Sequence, residues 1–331
     1  MNSFKPLTLN NIFSLAAKIS IMLSVVAISS IASAQIFPNK TIKILIPFST
    51  GTPADTLSRV IANRLQLDLK QPVVIENRPG AGGVIAIQEV LRLPNDGYTL
   101  IALAMPIAVA NALQKNPSYD LAKDFQPLLQ TAWSYNILVT PANSGVNTVK
   151  ELIEKLKAEP GKYSYSSGGS GTPAQVAGKM FEVQAQVSAL HAPYNQLPQA
   201  IGDLVGGQHL FMFAATAPVT GFIANGRLKP LAVSSPERLA NFKDVPTMSE
   251  AGFPNFLVRD WQGLAVRSGT PVEATEVLTE ALMRARESNE VKSVIATMGA
   301  SQASGTPADF VKHFSNELKL WSEFSKKVKL D

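Results

Sequence analysis

Four short phrases in the chain share one grammar: Gly51-Thr52-Pro53-Ala54-Asp55, Gly171-Thr172-Pro173-Ala174-Gln175, Gly269-Thr270-Pro271-Val272-Glu273 and Gly305-Thr306-Pro307-Ala308-Asp309. In each, threonine suits the N-cap and proline the first helical position. The acid or glutamine three residues after the threonine suits a capping box. As helix starts alone these are worth about 1 kcal/mol apiece. Two of them stand in a setting that permits more. Gly51 follows a strand pattern through Phe48-Ser49-Thr50, and Gly171 follows another through Ser166-Ser167-Gly168-Gly169-Ser170. A strand that runs through small residues into a helix N-terminus leaves backbone N–H groups free at the carboxyl edge of a sheet. The helix dipole adds about half a positive charge there. That is anion-capture chemistry, suited to a carboxylate or a phosphate. Gly51 and Gly171 are 120 residues apart, which suggests one such loop from each of two domains, facing across a cleft.

Catalytic chemistry finds little support. Gly169-Ser170-Gly171-Thr172-Pro173-Ala174 fits a dinucleotide-binding pattern, but the region about 20 residues on, where an acid should hold the ribose, reads Ser188-Ala189-Leu190-His191-Ala192-Pro193. Gly178-Lys179 is followed by Met180 where a phosphate loop needs a hydroxyl for magnesium. No nucleophile elbow surrounds Ser167 or Ser170. The three histidines, His191, His209 and His313, lack ligand spacing, so no metal site is expected. No catalytic residue and no cofactor is assigned.

Strand and helix patterns alternate along the chain. Lys43–Phe48, Gln71–Glu76, Tyr98–Leu103, Asn136–Thr140, Tyr163–Ser166, Ser188–Ala192, Leu210–Phe213 and Leu228–Val233 read as strands. Leu57, Val60, Ile61, Leu65 and Leu69 recur at helical spacing, and Val149–Ala158, Ala174–Gln184 and Pro198–Val205 read as helices. The alternation predicts α/β architecture with parallel sheets. From Pro271 the chain is mostly helical and ends on an apolar stripe, Phe310, Phe314, Leu318 and Trp321, expected to face the core. A chain of 331 residues suits two domains better than one.

At the start, Lys5 and Lys18 are the only charges before Lys40. They precede an apolar run of about 14 residues, shorter than the ~20 needed to span a bilayer. Ala32-Ser33-Ala34 supplies the small residues of a signal-peptidase site, so residues 1–34 are read as a signal peptide cleaved after Ala34, and the destination as the periplasm. The net charge of +5 is scattered, without the basic block that tracks phosphates, so nucleic acid is not an expected partner. There is no cysteine, hence no disulfide, thiolate nucleophile or lipidated N-terminus.

An ordered series of phrases resembles the tripartite tricarboxylate transporter receptors, the Bug solute-binding proteins. It runs from Phe37-Pro38-Asn39-Lys40 and Pro47-Phe48 through Val74–Gly83, Pro94–Leu100 and Tyr119–Phe125. It continues with Tyr165–Thr172, Pro193-Tyr194, Val205–Gln208, Val245-Pro246-Thr247, Glu250–Pro254 and Trp261-Gln262-Gly263, ending on Glu317 and Trp321. The resemblance implies a two-domain type II periplasmic-binding-protein fold. Each domain would be a mixed sheet flanked by helices, with a hinge and an interdomain cleft. Domain one would hold residues 35–136 and 236–331, and domain two residues 137–235. It implies no enzymatic activity but capture of a small carboxylate in the cleft and delivery to membrane transporter subunits by a monomer.

Ligand contacts are expected from Phe48, Ser49, Thr50, Gly51, Thr52 and Asp55 on one loop and from Ser167, Gly168, Ser170, Gly171 and Thr172 on the other. Tyr194, Ala214 and Ala215 are expected to join them. Asn77–Gly83 is read as a structural turn, and Trp261 as packing near the hinge. The chain departs from the family at Thr52, where a second glycine is common, at Asn195-Gln196-Leu197 in place of lysine and glycines, and at Ala214, where an acid is frequent. These changes remove charge and favour a less polar acid, such as an aromatic or branched one. A ligand-sensing module for a sensor kinase and a secreted nucleotide-dependent enzyme are the alternative readings.

Overall fold

The computed structural model describes residues 37–114, 117–169, 171–254, 256 and 258–325. The expected signal peptide and Ser170 lie outside the described residues. The first lobe begins with β1 (Ile42–Ile46), α1 (Pro53–Leu69), β2 (Val73–Asn77), α2 (Val84–Arg92), β3 (Thr99–Ala104) and α3 (Met105–Leu113). The 17-residue strand β4 (Phe125–Pro141) then runs out of it. The second lobe follows: α4 (Val149–Ala158), β5 (Ser164–Ser167), α5 (Pro173–Ala185), β6 (Leu190–Pro193), α6 (Leu197–Val205), β7 (Met212–Ala215), α7 (Thr216–Ala224) and β8 (Leu228–Val233). The chain returns through β9 (Arg259–Arg267), α8 (Val272–Glu287), α9 (Asn289–Thr297), β10 (Ser301–Gln302) and α10 (Pro307–Ser325).

Both lobes repeat one strand arrangement, and β4 belongs to both. In the first lobe the order is β10-β4-β9-β3-β1-β2, with β1 parallel to β2 and β3, and β9 antiparallel to β3 and β4. In the second, β5 pairs in parallel with β6 and is bridged to β7 at Tyr165 and Phe211, while β4 pairs antiparallel with β7 and β8. Up to Tyr135, β4 pairs with β9, and from Asn136 it pairs with the second lobe's strands. The sheets are therefore mixed, because the crossing strand enters each antiparallel to its neighbours.

Where the chain crosses, polar side chains are buried and satisfied. The Asn136 amide N–H donates to Ser234 Oγ (2.9 Å), Asn136 Nδ2 to the Phe213 carbonyl (2.7 Å), and Ser234 Oγ to the Val258 carbonyl (2.7 Å). An unmade bond at any of these buried groups would cost about 1–3 kcal/mol, so the crossings are held in register. The C-terminal stripe seats its inner residues on the sheet. Phe310 and Phe314 are buried edge-on against Trp261, with ring centroids 5.7 and 5.8 Å away, and Leu318 and Trp321 flank them. Trp261 is fully buried and donates its indole N–H to Glu317 (3.1 Å).

Three departures from the sequence reading have local causes. β9 and the first half of β4 are strands buried among neighbours, without alternation to mark them. Helices α3 and α7 are apolar nearly all round, which hides their helical period. The third Gly-Thr-Pro phrase does not cap as expected. The helix begins at Val272 with Pro271 as N-cap, and the Thr270 hydroxyl bonds back to the Arg267 carbonyl (2.7 Å). In the second phrase Thr172 holds the N-cap position, but its hydroxyl likewise bonds back, to the Gly169 carbonyl (2.7 Å), and makes no cap bond. In the fourth phrase the reciprocal bonds of a capping box form between Thr306 and Asp309.

Candidate functional site

The two loops singled out from sequence have nearly the same backbone. Gly51 has φ 83° and Gly171 φ 78°, both left-handed. Thr52 follows at φ −72°, ψ 159° and Thr172 at φ −71°, ψ 154°. Each loop leaves the carboxyl end of a strand flanked by two parallel neighbours and starts a helix with proline in its first turn. Proline has no N–H to lose there. Ala54 and Ala174, at the second position of each helix, carry amides of the kind that a helix start leaves without an intrahelical acceptor.

What holds each loop differs. In the first lobe the Asp55 carboxylate accepts from Gly51 N (3.0 Å), Asn77 Nδ2 (2.9 Å) and Arg59, whose Nη2 lies 2.9 Å away. Thr52 Oγ1 accepts from Asp55 N at 3.4 Å and donates to the Ser49 carbonyl (3.0 Å). Burial alone would raise the Asp55 carboxyl, but the bonds from Arg59, Gly51 and Asn77 together outweigh it and hold the group below its ordinary value. In the second lobe the neutral Gln175 takes that place, its Oε1 accepting from Gly171 N (2.6 Å). Gln175 Nε2 lies 3.3 Å from His191 Nδ1, and His191 Nε2 lies 2.7 Å from Ser167 Oγ. Gln175 donates to Nδ1 in this arrangement, so the proton of a neutral imidazole sits on Nε2 and points at Ser167. Burial, then the charge of Lys179, lowers the His191 pKa.

Between the lobes lies a cavity of about 1050 Å³. Phe48, Ser49, Thr52 and Ala54 line it from the first loop, and Gly168, Gly169, Thr172 and Ala174 from the second. The hinge contributes Ser134, Tyr135, Asn136 and Asp260, and apolar wall comes from Val84, Pro106, Leu113, Leu197, Met212 and Ala215. Among the described residues the lining includes no lysine or arginine. The lobes touch beside it: a Cβ added at Gly171 would lie 3.2 Å from Val109 Cγ1 on α3.

Of the residues expected at the site, Phe48, Ser49, Thr52, Gly168, Thr172 and Ala215 line this cavity. Thr50, Gly51, Asp55, Ser167, Gly171, Tyr194 and Ala214 do not. Thr50 and Gly51 are exposed on the outer side of the bend, and Gly171 packs against α3. Asp55 and Ser167 are spent on holding their loops. Ala214 is fully buried in the second lobe's core. Tyr194 directs its hydroxyl to Asp203 (2.7 Å) and His209 (2.7 Å), and the bond to Asp203 pushes its pKa up to about 12.

Sequence reasoning missed Ser134–Asn136, Asp260 and Pro79–Val84, whereas Asn195, Gln196 and Leu197, read there as changes that make the site less charged, do line the cavity. Pro79–Val84 overlaps a segment read as purely structural. Gly80, Gly82 and Gly83 have positive φ, and a Cβ at Gly82 would lie 2.6 Å from Ala110 Cβ, so the glycines let this turn press against α3 at the cavity edge. Among the described residues no cluster of metal-ligating side chains occurs and no helix is long and apolar enough to cross a membrane.

Known proteins share this sequence pattern and this fold. The family model described as tripartite tricarboxylate transporter family receptor matches residues 57–330. The protein BugT of Bordetella pertussis is 30% identical over 314 residues, covering 94% of this chain and 96% of its own. A Rhodopseudomonas palustris protein solved with adipate superimposes with a TM-score of 0.83 at 28% identity, over 88% of this chain and 97% of that one. MatC from Rhodopseudomonas palustris, with bound malate, gives 0.80 at 27% identity over 87% and 99%.

Proposed function

Because the chain belongs to the tripartite tricarboxylate transporter receptor family, we propose that it captures a small carboxylate between residues 35–136 with 236–331 on one side and 137–235 on the other. The receptor then delivers that acid to membrane transporter subunits. It works in the periplasm, after removal of a signal peptide behind Ala34. The observation that carries this reading is the pair of Gly-Thr-Pro loops on opposite walls of one cavity. Their helix starts offer amides and positive dipole ends to an anion from two sides. Solved relatives hold adipate and malate, which supports a carboxylate as the ligand class.

The ligand's remainder is less polar than those two acids. The wall from Phe48, Val84, Pro106, Leu113, Leu197 and Met212 offers apolar surface, and the lining supplies no cation for a second carboxylate. An aromatic or branched acid fits that wall. With no cationic side chain on the described wall to bind the carboxylate, affinity comes from preorganised amides, the helix dipoles and burial of the apolar part.

Thermal unfolding against a panel of acids tests this. The panel holds citrate, succinate, malate, adipate, benzoate, nicotinate and branched aliphatic acids, with NAD and sugars as controls. A ligand at 100 times its dissociation constant stabilises by about 2.7 kcal/mol, an easily seen rise in Tm. A rise with one or a few carboxylates, strongest for the less polar, is the expected result. A rise with NAD or a sugar and with no acid contradicts the reading.

A further inference from the structure

Among the described residues one charged side chain stands on the cavity wall, and it is an acid. Asp260 is 7% exposed and lies at the start of β9, where the chain re-enters the first lobe. Its Oδ1 accepts from Met105 N at the start of α3 (2.9 Å), and its Oδ2 accepts from Gln262 Nε2 (3.0 Å). Gln262 Nε2 also donates to Ser134 Oγ (2.8 Å), so the carboxylate is fixed between the two hinge strands. None of the nearby polar groups brings a positive charge: Asn136 Nδ2 donates to the Phe213 carbonyl, and Gln262 Oε1 is a buried acceptor without a partner. Arg259 does not answer the charge. Successive side chains on a strand point to opposite faces, and the Arg259 guanidinium lies over the Trp133 ring, 4.0 Å from its centroid. Across the sheet the titratable neighbours are Glu317, whose charge opposes ionisation of Asp260, and His313, packed edge-on against Trp133 and Trp261.

A cap for α3 explains only one bond of this acid. That duty needs one neutral acceptor, as asparagine or serine supplies it. Asp260 instead lines a cavity whose described wall holds no counter-charge, and beyond the bonds from Met105 N, Trp261 N and Gln262 Nε2 a carboxylate has a lone pair to spare. β9 lies two strands from β1, so Asp260 sits roughly 10 Å across the sheet from the first loop. A small acid anchored by its carboxylate at the loops reaches Asp260 with its far end.

Building on the carboxylate reading above, we infer that Asp260 determines specificity. It accepts a hydrogen bond from an ammonium, amine or hydroxyl at the ligand's far end, and it repels a second carboxylate. The ligand class is then a monocarboxylate with a terminal donor, in contrast to the dicarboxylates adipate and malate. Burial supports the assignment by pushing the Asp260 carboxyl up to about 7, against the bonds from Met105 and Gln262. A donor in the cavity relieves that cost, and a second anion adds to it.

Titration calorimetry with two matched triads tests the inference: hexanoate, omega-aminohexanoate and adipate, then benzoate, para-aminobenzoate and terephthalate. The measurements are made at about pH 8.5, where a carboxyl titrating near 7 is ionised. In each triad that binds, the amino acid is expected to bind at least about tenfold more tightly than the diacid. Asp260→Asn keeps an oxygen for Met105 N, and Gln262 can turn its unpartnered oxygen toward the new amide. The variant is expected to bring the diacid and the amino acid within about threefold of each other while the unsubstituted acid binds as before. That unchanged member also reports that the variant is folded. Tight diacid binding by the natural protein overturns the inference and leaves the carboxylate reading intact. So does a variant that weakens all three members of a triad equally, which is the mark of a helix cap alone. No binding by any of the six acids overturns the inference, and the carboxylate reading falls with it only if the wider panel of acids also fails to raise Tm.

Discussion

The two Gly-Thr-Pro loops that line the cavity are near copies in backbone and opposites in chemistry. Gly51-Thr52-Pro53 and Gly171-Thr172-Pro173 agree within a few degrees at the glycine and threonine. The first is held by a buried carboxylate, neutralised by Arg59 and bonded by Asn77; the second is held by a neutral amide leaning on His191. The shape therefore comes from the shared glycine, threonine and proline, and the supporting residue is free to differ in charge. The comparison also separates holding from binding. Asp55 and Gln175 each occupy the amide of the loop glycine, so neither that amide nor its partner remains for a ligand. The amides one residue past each proline are what each loop has left to offer.

The largest difference is expected from removing the two supports. Asp55→Ala strips three bonded partners at once and should lower stability by about 2–3 kcal/mol, whereas Gln175→Ala loses neutral bonds and should cost about 1 kcal/mol. Urea unfolding measures both, and equal costs would break the distinction drawn here. Next come the glycines. Gly51→Ala meets open space and should cost only the left-handed backbone, about 1–2 kcal/mol. Gly171→Ala carries the same strain and also pushes a methyl toward Val109 of the other lobe, so it alone should weaken ligand binding, by about tenfold or more. Calorimetry on the pair decides this. A smaller effect is expected from Gln175→Glu, which gives the second loop a charge where Lys179, in the place of Arg59 four residues along the helix, is already paired with Glu182 (3.6 Å). It should weaken an anionic ligand several-fold, by roughly 1 kcal/mol, and the loss should shrink in high salt.

The smallest effects are in pH. His191 is depressed, so its contribution is complete above 6.5 and is lost as pH falls from there through its folded value. Protonation puts a donor on Nδ1 opposite the Gln175 amide, and His191→Gln should flatten that decline. Asp55 is also depressed. Its contribution is present above 3.8 and disappears at lower pH still, which separates the two loops along the acid limb. Asp260 runs the other way. Its raised pKa favours the folded state fully below 3.8, and that advantage is lost as pH rises to about 7, so Asp260→Asn should remove a fall in stability across that interval.

Much of this was legible locally. Val149–Ala158 is a helix with the limits its pattern predicts, closed by Thr148 bonding to Glu151 N. β1, β2, β3 and β8 lie where β-branched runs place them. The two loops announced themselves because cap, proline and glycine act within a few residues of one another. Asp260, Ser134 and Asn136 did not. They meet only because β4 and β9 pair across more than 100 residues, with Ser134 opposite Asp260, and no periodicity or motif carries that pairing. Tyr194 is legible only in part. Its neighbours Pro193 and Asn195 line the cavity, while its hydroxyl bonds to Asp203 on α6, a partner that the sequence near Tyr194 does not announce.

The central claim is that two helix starts on opposite lobes share one carboxylate. A crystal structure with the tightest-binding acid of the panel tests it most directly. The account predicts carboxylate oxygens at ~2.7–3.2 Å from the Ala54 and Ala174 amides, directly or through one ordered water, with the apolar part against Phe48, Leu197 and Met212. A carboxylate held elsewhere, for example by Asn195 and Gln196 with both loops empty, would contradict it.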